Sequence, residues 1–255
     1  MIVMRDFLIN IFREDKVVLE ITLFSIWHIM YIVLIVGGTI GLSILLNKKA
    51  SEKTRNLVRK IIACALVCVY IADFFIMPLS RDNGQIDIDK LPFHICTIMG
   101  IVIPFVEFNK KFEKIKEPAS CLAVVASLMY ITYPGSALGG ISTFCYKVVQ
   151  TFVYHGLLFA YGYLAFSTKF TEMKFKNIWK CLVGIIMIAL WAALGNATYS
   201  NADHHYDWFF ITGSTFPFIP SWLMPFVVVI AVFGMCAIIY SIDLLIKKVT
   251  NKKEA

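Results

Sequence analysis

The sequence has few charged residues and no polar stretch long enough to form a soluble domain. Only 16% of its 255 residues are charged, whereas 59% are hydrophobic and the mean hydropathy is +0.74. Because soluble domains are about 45–50% apolar, the composition predicts an integral membrane protein. The chain also shows no internal repeat, no low-complexity tract and no inverted duplication of the kind found in many transporters. One bundle of membrane helices is therefore expected.

Motifs for metals and cofactors are lacking as well. The seven cysteines lie in or beside apolar runs, and their spacing fits no zinc or disulfide framework. No His-x-x-x-His pair is present. One loop contains Asp203, His204, His205 and Asp207, but adjacent residues rarely direct both side chains at one ion. We therefore expect no metal and no cofactor.

Apolar runs long enough, or nearly so, to cross about 30 Å of hydrocarbon can be identified directly. Seven are present, at residues 21–46, 61–78, 92–108, 118–133, 148–166, 178–194 and 222–246. The third and fourth begin with Pro92 and Pro118, and proline suits the first helical position. The expected organisation is an N-terminal interfacial segment (1–20), a single seven-helix transmembrane domain (21–246) and a basic cytoplasmic tail (247–255).

The net charge of +7 is explained by the loops and does not require a nucleic-acid partner. Loops 47–60, 109–117 and 167–180 and the tail hold 18 Lys or Arg, whereas the N-terminal segment and the other loops hold 6. Basic loops remain in the cytoplasm. The sequence thus predicts an all-α polytopic bundle of about seven transmembrane helices, with the N-terminus outside and the C-terminus cytoplasmic.

We single out four side chains inside the apolar runs, where ionisable groups are costly and often functional. They are His28, Asp73, Cys96 and His155. With about 1.5 Å of rise per residue, all four lie in the half of the bilayer next to the predicted outer loops. This agreement predicts a pocket reached from the extracytoplasmic leaflet. The alternative is that water and head groups satisfy polar residues near an interface, and that His28 only bonds a neighbouring helix.

The stretch LPFHICTIMG places His94 two residues before Cys96. On a helix, residues two apart point about 200° away from each other, so His94 is a poor base for Cys96. His155, in QTFVYHGLLF, is the best candidate from another span. A thiol and an imidazole are the minimum for acyl transfer through a thioester. The amides at a helix start also favour a thiolate, although Cys96 lies at the edge of the first predicted turn.

The segment LPFHICTIMGIVIPF, preceded by FSIWHIM and followed by QTFVYHGLL and GNATYSNADHHYDWFFITGSTFPFIPSW, resembles the YwaF and transmembrane protein 164 family. Its most specific part is Leu-Pro-x-His-x-Cys. The resemblance implies an acyltransferase that moves a fatty acyl chain from a phospholipid to a lysophospholipid without coenzyme A. It also implies Cys96 as nucleophile and His155 as base. Related lipid-ester hydrolases use threonine and histidine, so hydrolysis is a neighbouring activity.

Six further residues are expected to bind substrate or support the site: His28, Asp73, His94, Asn196, His204 and His205. Of these, His204 and His205 are candidates for contact with a phosphate head group, although the family's Asn-Tyr pattern after Asn196 is replaced here by His-His-Tyr. The expected partners are membrane phospholipids and lysophospholipids in a bacterial cell membrane. The competing hypothesis is a transporter or small-ligand-binding protein that uses intramembrane His and Asp.

Overall fold

The described part of the chain is helical. The computed structural model describes residues 19–80, 86, 88–138, 140–201, 204–212 and 218–254, and within them no strand is present. The long helices are α1 (Ile26–Lys49), α2 (Glu52–Ser80), α3 (Ile95–Phe108), α4 (Lys116–Thr132), α5 (Tyr146–Ser167), α6 (Trp179–Tyr199) and α7 (Met224–Glu254). The predicted all-α class is confirmed.

Five of the described helical segments are long and apolar enough to cross a membrane: Ile26–Lys49, Glu52–Pro78, Lys110–Thr132, Phe175–Tyr199 and Met224–Lys248. Helix α3 is apolar but has only 14 residues, which corresponds to about 21 Å. Helix α5 has 22 residues and carries more polar side chains. The described helices match the positions of the predicted spans, while the count of seven crossings and the orientation of the termini stay predictions.

Helices α4 and α5 form the centre of the bundle. In the span Lys110–Thr132, 67% of the apolar window is buried inside the protein, compared with 17% for Ile26–Lys49. Gly162 permits the close contact of α4 with α5, because a Cβ at this position would lie 2.6 Å from the Ser120 carbonyl oxygen. The peripheral helices instead expose large apolar side chains such as Phe75 and Trp222, as expected for surfaces that face lipid.

Contacts between helix ends show that α4 runs opposite to α1 and α5. At one end, which we call the lysine-rich end, the side chain of Asn47 at the end of α1 donates to the Ser167 carbonyl at the end of α5. At the other end, which we call the His94 end, the ring of His28 near the start of α1 reaches the carbonyl of Ile131 near the end of α4. The two ends correspond to the predicted cytoplasmic and outer loops.

Both helix starts that the sequence predicted at a proline lie elsewhere in the structure. Helix α3 begins at Ile95, not at Pro92, because His94 has an extended backbone (φ −84°, ψ 150°) and precedes the first turn. The Pro92 carbonyl does not join the helix but accepts a hydrogen bond from Trp191 Nε1 (2.8 Å). Helix α4 begins at Lys116, two residues before Pro118. The later start of α3 changes the surroundings of Cys96.

Candidate functional site

Cys96 is the second residue of α3 and lies within its first turn. The backbone N–H groups of Cys96 and Thr97 belong to the first turn of α3, where amides have no partner within the helix, and Cys96 is partly exposed. Unpaired amides at a helix start carry a partial positive charge that favours a thiolate. The sequence placed Cys96 at the edge of this field, whereas the structure places it inside.

His155 has one free ring nitrogen. Its Nδ1 lies 2.8 Å from the Thr151 carbonyl oxygen, which can only accept, so Nδ1 carries the proton. Its Nε2 is buried and has no hydrogen-bond partner in the described part of the chain. Tyr130 stacks on the imidazole with the ring centroids 3.9 Å apart. This arrangement fixes the ring with the Nε2 lone pair available, which is the form that a general base requires.

Cys96 and His155 lie on two helices, α3 and α5, that are joined by a hydrogen bond beside both residues. Tyr154, the neighbour of His155, donates its hydroxyl to the Cys96 carbonyl oxygen (3.0 Å). Lys90 lies near this bond, because its carbonyl oxygen accepts from the Tyr70 hydroxyl (2.8 Å) and the ring of Tyr70 lies 6.1 Å from that of Tyr154. No hydrogen bond joins the Cys96 sulfur to His155 Nε2, since that nitrogen has no partner among the described residues. The catalytic pairing therefore stays a prediction.

Lys90 is a site residue that sequence reasoning missed. Its Nζ lies 3.1 Å from Asp73 Oδ2 and donates to Gln150 Oε1 (3.4 Å), so it links α2 to α5. The side chain of Asp73 is 1% exposed, and its ion-pair partner is this lysine rather than a histidine. The sequence offered only one weak signal, which is that Lys90 stands directly before LPFHIC.

His28 uses both ring nitrogens for contacts with the backbone. Its Nδ1 accepts from the Phe24 amide (3.0 Å), and its Nε2 lies 2.8 Å from the Ile131 carbonyl oxygen. The side chain is completely buried. These contacts hold the start of α1 against the end of α4. They favour the interpretation that the His28 side chain only bonds a neighbouring helix.

His94 and Asn196 hold the loop segment that packs over the start of α3. Asn196 Nδ2 donates to the Trp208 carbonyl oxygen (3.2 Å), and its Oδ1 accepts from the Trp208 amide (2.8 Å). The next residue, Phe209, donates its amide to His94 Nδ1 (3.3 Å). Both side chains thus hold the segment at Trp208 and Phe209 against the start of α3, while their role in a site stays a prediction.

His204 and His205 are exposed. The His204 amide donates to Asn201 Oδ1 (2.8 Å), which is a contact within the same loop. Asp203 lies outside the described residues, and Asp207 Oδ1 accepts from the Thr212 amide (2.8 Å). Among the loop residues that the structure describes, no group of three converging metal ligands forms.

A cavity of about 840 Å³ opens at the lysine-rich end, away from Cys96. Its lining includes six basic residues: Arg55, Arg59, Lys60, Lys110, Lys116 and Lys169. The side chains of Arg59 and Glu107 form a buried ion pair in its wall (3.5 Å). A lining so rich in charge is unsuited to an acyl chain, so this cavity is not the pocket that the sequence predicts.

A sequence model of the TMEM164 family matches residues 23–243. The match covers most of the chain and includes both Cys96 and His155. The chain belongs to the TMEM164 family. No curated protein and no solved structure matches the chain. Membership of the TMEM164 family confirms the resemblance to transmembrane protein 164, while the YwaF relationship and the enzymatic activity stay predictions.

Proposed function

We propose that this member of the TMEM164 family is a membrane-embedded acyltransferase that moves a fatty acyl chain from a phospholipid to a lysophospholipid through a thioester on Cys96. The observation that carries the proposal is the contact of Tyr154 with Cys96. This contact supports the proposal because it joins α3, which carries the Cys96 thiol in its first turn, to α5, which carries His155 with an unpartnered Nε2.

The chemistry proceeds in two halves. In the first, His155 Nε2 takes the proton of the Cys96 thiol, and the sulfur attacks the acyl carbonyl carbon of the donor. The carbon–sulfur bond forms, the ester carbon–oxygen bond breaks, and His155 returns the proton to the leaving glyceryl oxygen. In the second, His155 takes the proton of the acceptor hydroxyl, and the acceptor oxygen attacks the thioester carbon. The carbon–oxygen bond forms, the carbon–sulfur bond breaks, and His155 returns the proton to the Cys96 sulfur. Water in place of the acceptor gives hydrolysis.

The amides of Cys96 and Thr97 have two roles in this scheme. They stabilise the thiolate before attack and they offer donors near the oxyanion that develops on the acyl carbonyl. The Lys90 ammonium, held by Asp73 at 3.1 Å, adds positive charge on the same side. No coenzyme A is needed, because the donor is itself an ester lipid.

The site lies at the His94 end, which corresponds to the predicted extracytoplasmic leaflet of a bacterial cell membrane. Phospholipids of that leaflet are available there, whereas acyl-CoA is cytosolic. The exposed His204 and His205 are proposed to meet the phosphate of the head group.

The proposal is tested by acyl transfer in liposomes. Purified protein is reconstituted with a phospholipid carrying a labelled acyl chain and with an unlabelled lysophospholipid, and the label in the acceptor is measured. Cys96→Ala and His155→Ala are expected to abolish transfer, because each removes a group that makes or breaks a bond. Cys145→Ala is the matched control, since Cys145 is the N-cap residue of α5 and so lies next to a helix start at the same end.

Transfer that survives in Cys96→Ala at the parent rate contradicts the proposal. Equal loss in Cys96→Ala and Cys145→Ala also contradicts it, because a thioester mechanism requires only one of these two thiols.

The alternative function is a transporter, and the buried pair of Lys90 with Asp73 is the observation that favours it. An intramembrane ion pair that links two helices is typical of transport pathways. In this case, solute flux across liposomes should depend on Asp73 and survive the loss of Cys96. Flux that is unchanged by both Asp73→Asn and Cys96→Ala contradicts the transporter hypothesis.

A further inference from the structure

Three cysteines that are far apart in the sequence meet inside the bundle. Cys121 of α4, Cys181 of α6 and Cys236 of α7 are each completely buried, and their sulfur atoms all lie within 4.8 Å of one another. In the part of the chain that the structure describes, this is the one group of three or more His, Cys, Asp or Glu side chains whose ligand atoms converge in this way. We call it the three-cysteine cluster.

We propose that the three-cysteine cluster is a structural zinc site that ties α4, α6 and α7 together near the lysine-rich end. This site is separate from Cys96 and does not depend on the proposed acyl transfer. Buried single cysteines are common as small apolar side chains. Three sulfurs from three helices that converge on one point are instead the arrangement that a thiophilic ion requires.

The spacing of the sulfur atoms fits zinc. Zinc–sulfur bonds are about 2.3 Å long, so two sulfurs on a tetrahedral zinc are about 3.8 Å apart. The observed separations, at most 4.8 Å, therefore need to shrink by no more than about 1 Å. Side-chain rotation alone can supply a movement of this size, so the helices need not shift.

One of the thiols lies at a helix start. Cys181 is the third residue of α6 and lies in its first turn, whereas Cys121 is the sixth residue of α4 and lies in the second turn. The partial positive charge of a helix N-terminus favours a negative charge nearby and fades beyond the first turn. The start of α6 therefore offers a favourable environment for an anionic zinc–thiolate cluster.

A tyrosine oxygen lies beside one sulfur of the cluster. Tyr240 Oη lies 3.9 Å from Cys181 Sγ and donates to Glu117 Oε1 (3.0 Å). The two Glu117 oxygens also accept from the Lys174 amide and from Asn177 Nδ2, both at 2.6 Å. Glu117 is therefore firmly held and orients the Tyr240 hydroxyl, in the way that outer-shell carboxylates orient metal ligands.

Charge selects zinc over copper among the ions that prefer thiolates. Three thiolates with Zn²⁺ leave one net negative charge, whereas three thiolates with Cu⁺ leave two. Each uncompensated buried charge costs several kcal/mol. The divalent ion is thus the better match to a completely buried site with one helix start nearby.

The site is tested by metal analysis of the full chain purified without chelators. The expected result is one zinc per chain in the parent protein and in the Cys64→Ser/Cys68→Ser double variant, whose cysteines are exposed on α2. Zinc should fall to background in Cys121→Ser, Cys181→Ser and Cys236→Ser. Zinc that persists in these three variants overturns the proposal, and copper in place of zinc overturns the charge argument.

A second measurement covers the case in which the variants fail to fold. The parent protein is stripped of metal and titrated with Co²⁺ alone, and the absorption spectrum is recorded. Thiolate-to-cobalt charge-transfer bands together with the visible bands of tetrahedral cobalt, both lost on addition of Zn²⁺, are expected. A parent protein that contains no zinc and develops no such bands overturns the proposal.

Discussion

Gly100→Ala should disturb the candidate site without altering any proposed catalytic group. A Cβ at Gly100 would meet the hydroxyl of Tyr154, with the Tyr154 Cζ at 2.9 Å and the Leu66 Cδ2 at 3.0 Å. Overpacking of this kind costs about 1–3 kcal/mol, and the displaced hydroxyl gives up its bond to Cys96, worth about 1 kcal/mol. The better helix propensity of alanine offsets about 1 kcal/mol of this destabilisation. The net destabilisation should be about 1–3 kcal/mol.

The assay is a double-mutant cycle on the stability of the detergent-solubilised protein. Tyr154→Phe removes the nearest of the three atoms that the new methyl group meets and leaves Cζ and the Leu66 Cδ2 in place, so Gly100→Ala should cost less in the Tyr154→Phe background than in the parent. Gly41→Ala is the control, because a Cβ at Gly41 meets nothing within 4 Å, and it should be neutral or slightly stabilising.

Acyl transfer should respond more strongly than stability, since a displacement of about 1 Å at a reacting group can reduce the rate by about 100-fold. If Gly100→Ala and Gly41→Ala behave alike, or if the cost of Gly100→Ala is the same with Tyr and with Phe at position 154, the packing of α3 against α5 described above is incorrect.

Two other predictions concern stability. Arg59→Ala should lower the free energy of unfolding by about 3–5 kcal/mol, because it leaves the buried Glu107 carboxylate without its ion-pair partner. Replacing both residues by apolar ones should restore most of this stability. Chemical denaturation in detergent measures both effects. Asn196→Ala should cost about 1–3 kcal/mol because both backbone groups of Trp208 lose their partner. Limited proteolysis should then cut the loop 200–212 faster than in the control Thr198→Ala, whose hydroxyl bonds only its own helix; equal rates refute this role.

The positions of the helices were predictable from the sequence because hydrophobic length is a local property. Runs of about 20 apolar residues specify a membrane helix whatever surrounds them. The start of α3 was not predictable in this way, because Pro92 has its carbonyl fixed by Trp191 (2.8 Å), and this contact involves a residue far along the chain. The error of three residues mattered, since it moved Cys96 into the first turn.

The membership of the candidate site was only partly predictable. Cys96 and His155 were proposed from a motif and a resemblance, and their pairing stays a prediction, although Tyr154 joins α5 to the start of α3 beside them. In the sequence, Lys90 looks like an ordinary charged residue of a loop. Its role could not be predicted, because it depends on contacts with Asp73 of α2 and Gln150 of α5. The three-cysteine cluster could not be predicted from residue spacing for the same reason. Its members come from three helices, and the sequence carries no local signal of their convergence.

The most direct test of the central claim is the intact mass of the protein after incubation with a phospholipid donor and no acceptor. A thioester on Cys96 predicts a mass increase of one acyl chain that hydroxylamine removes, that maps to the peptide containing Cys96, and that does not form in Cys96→Ala. An unmodified protein, or an adduct that persists in Cys96→Ala, contradicts the mechanism.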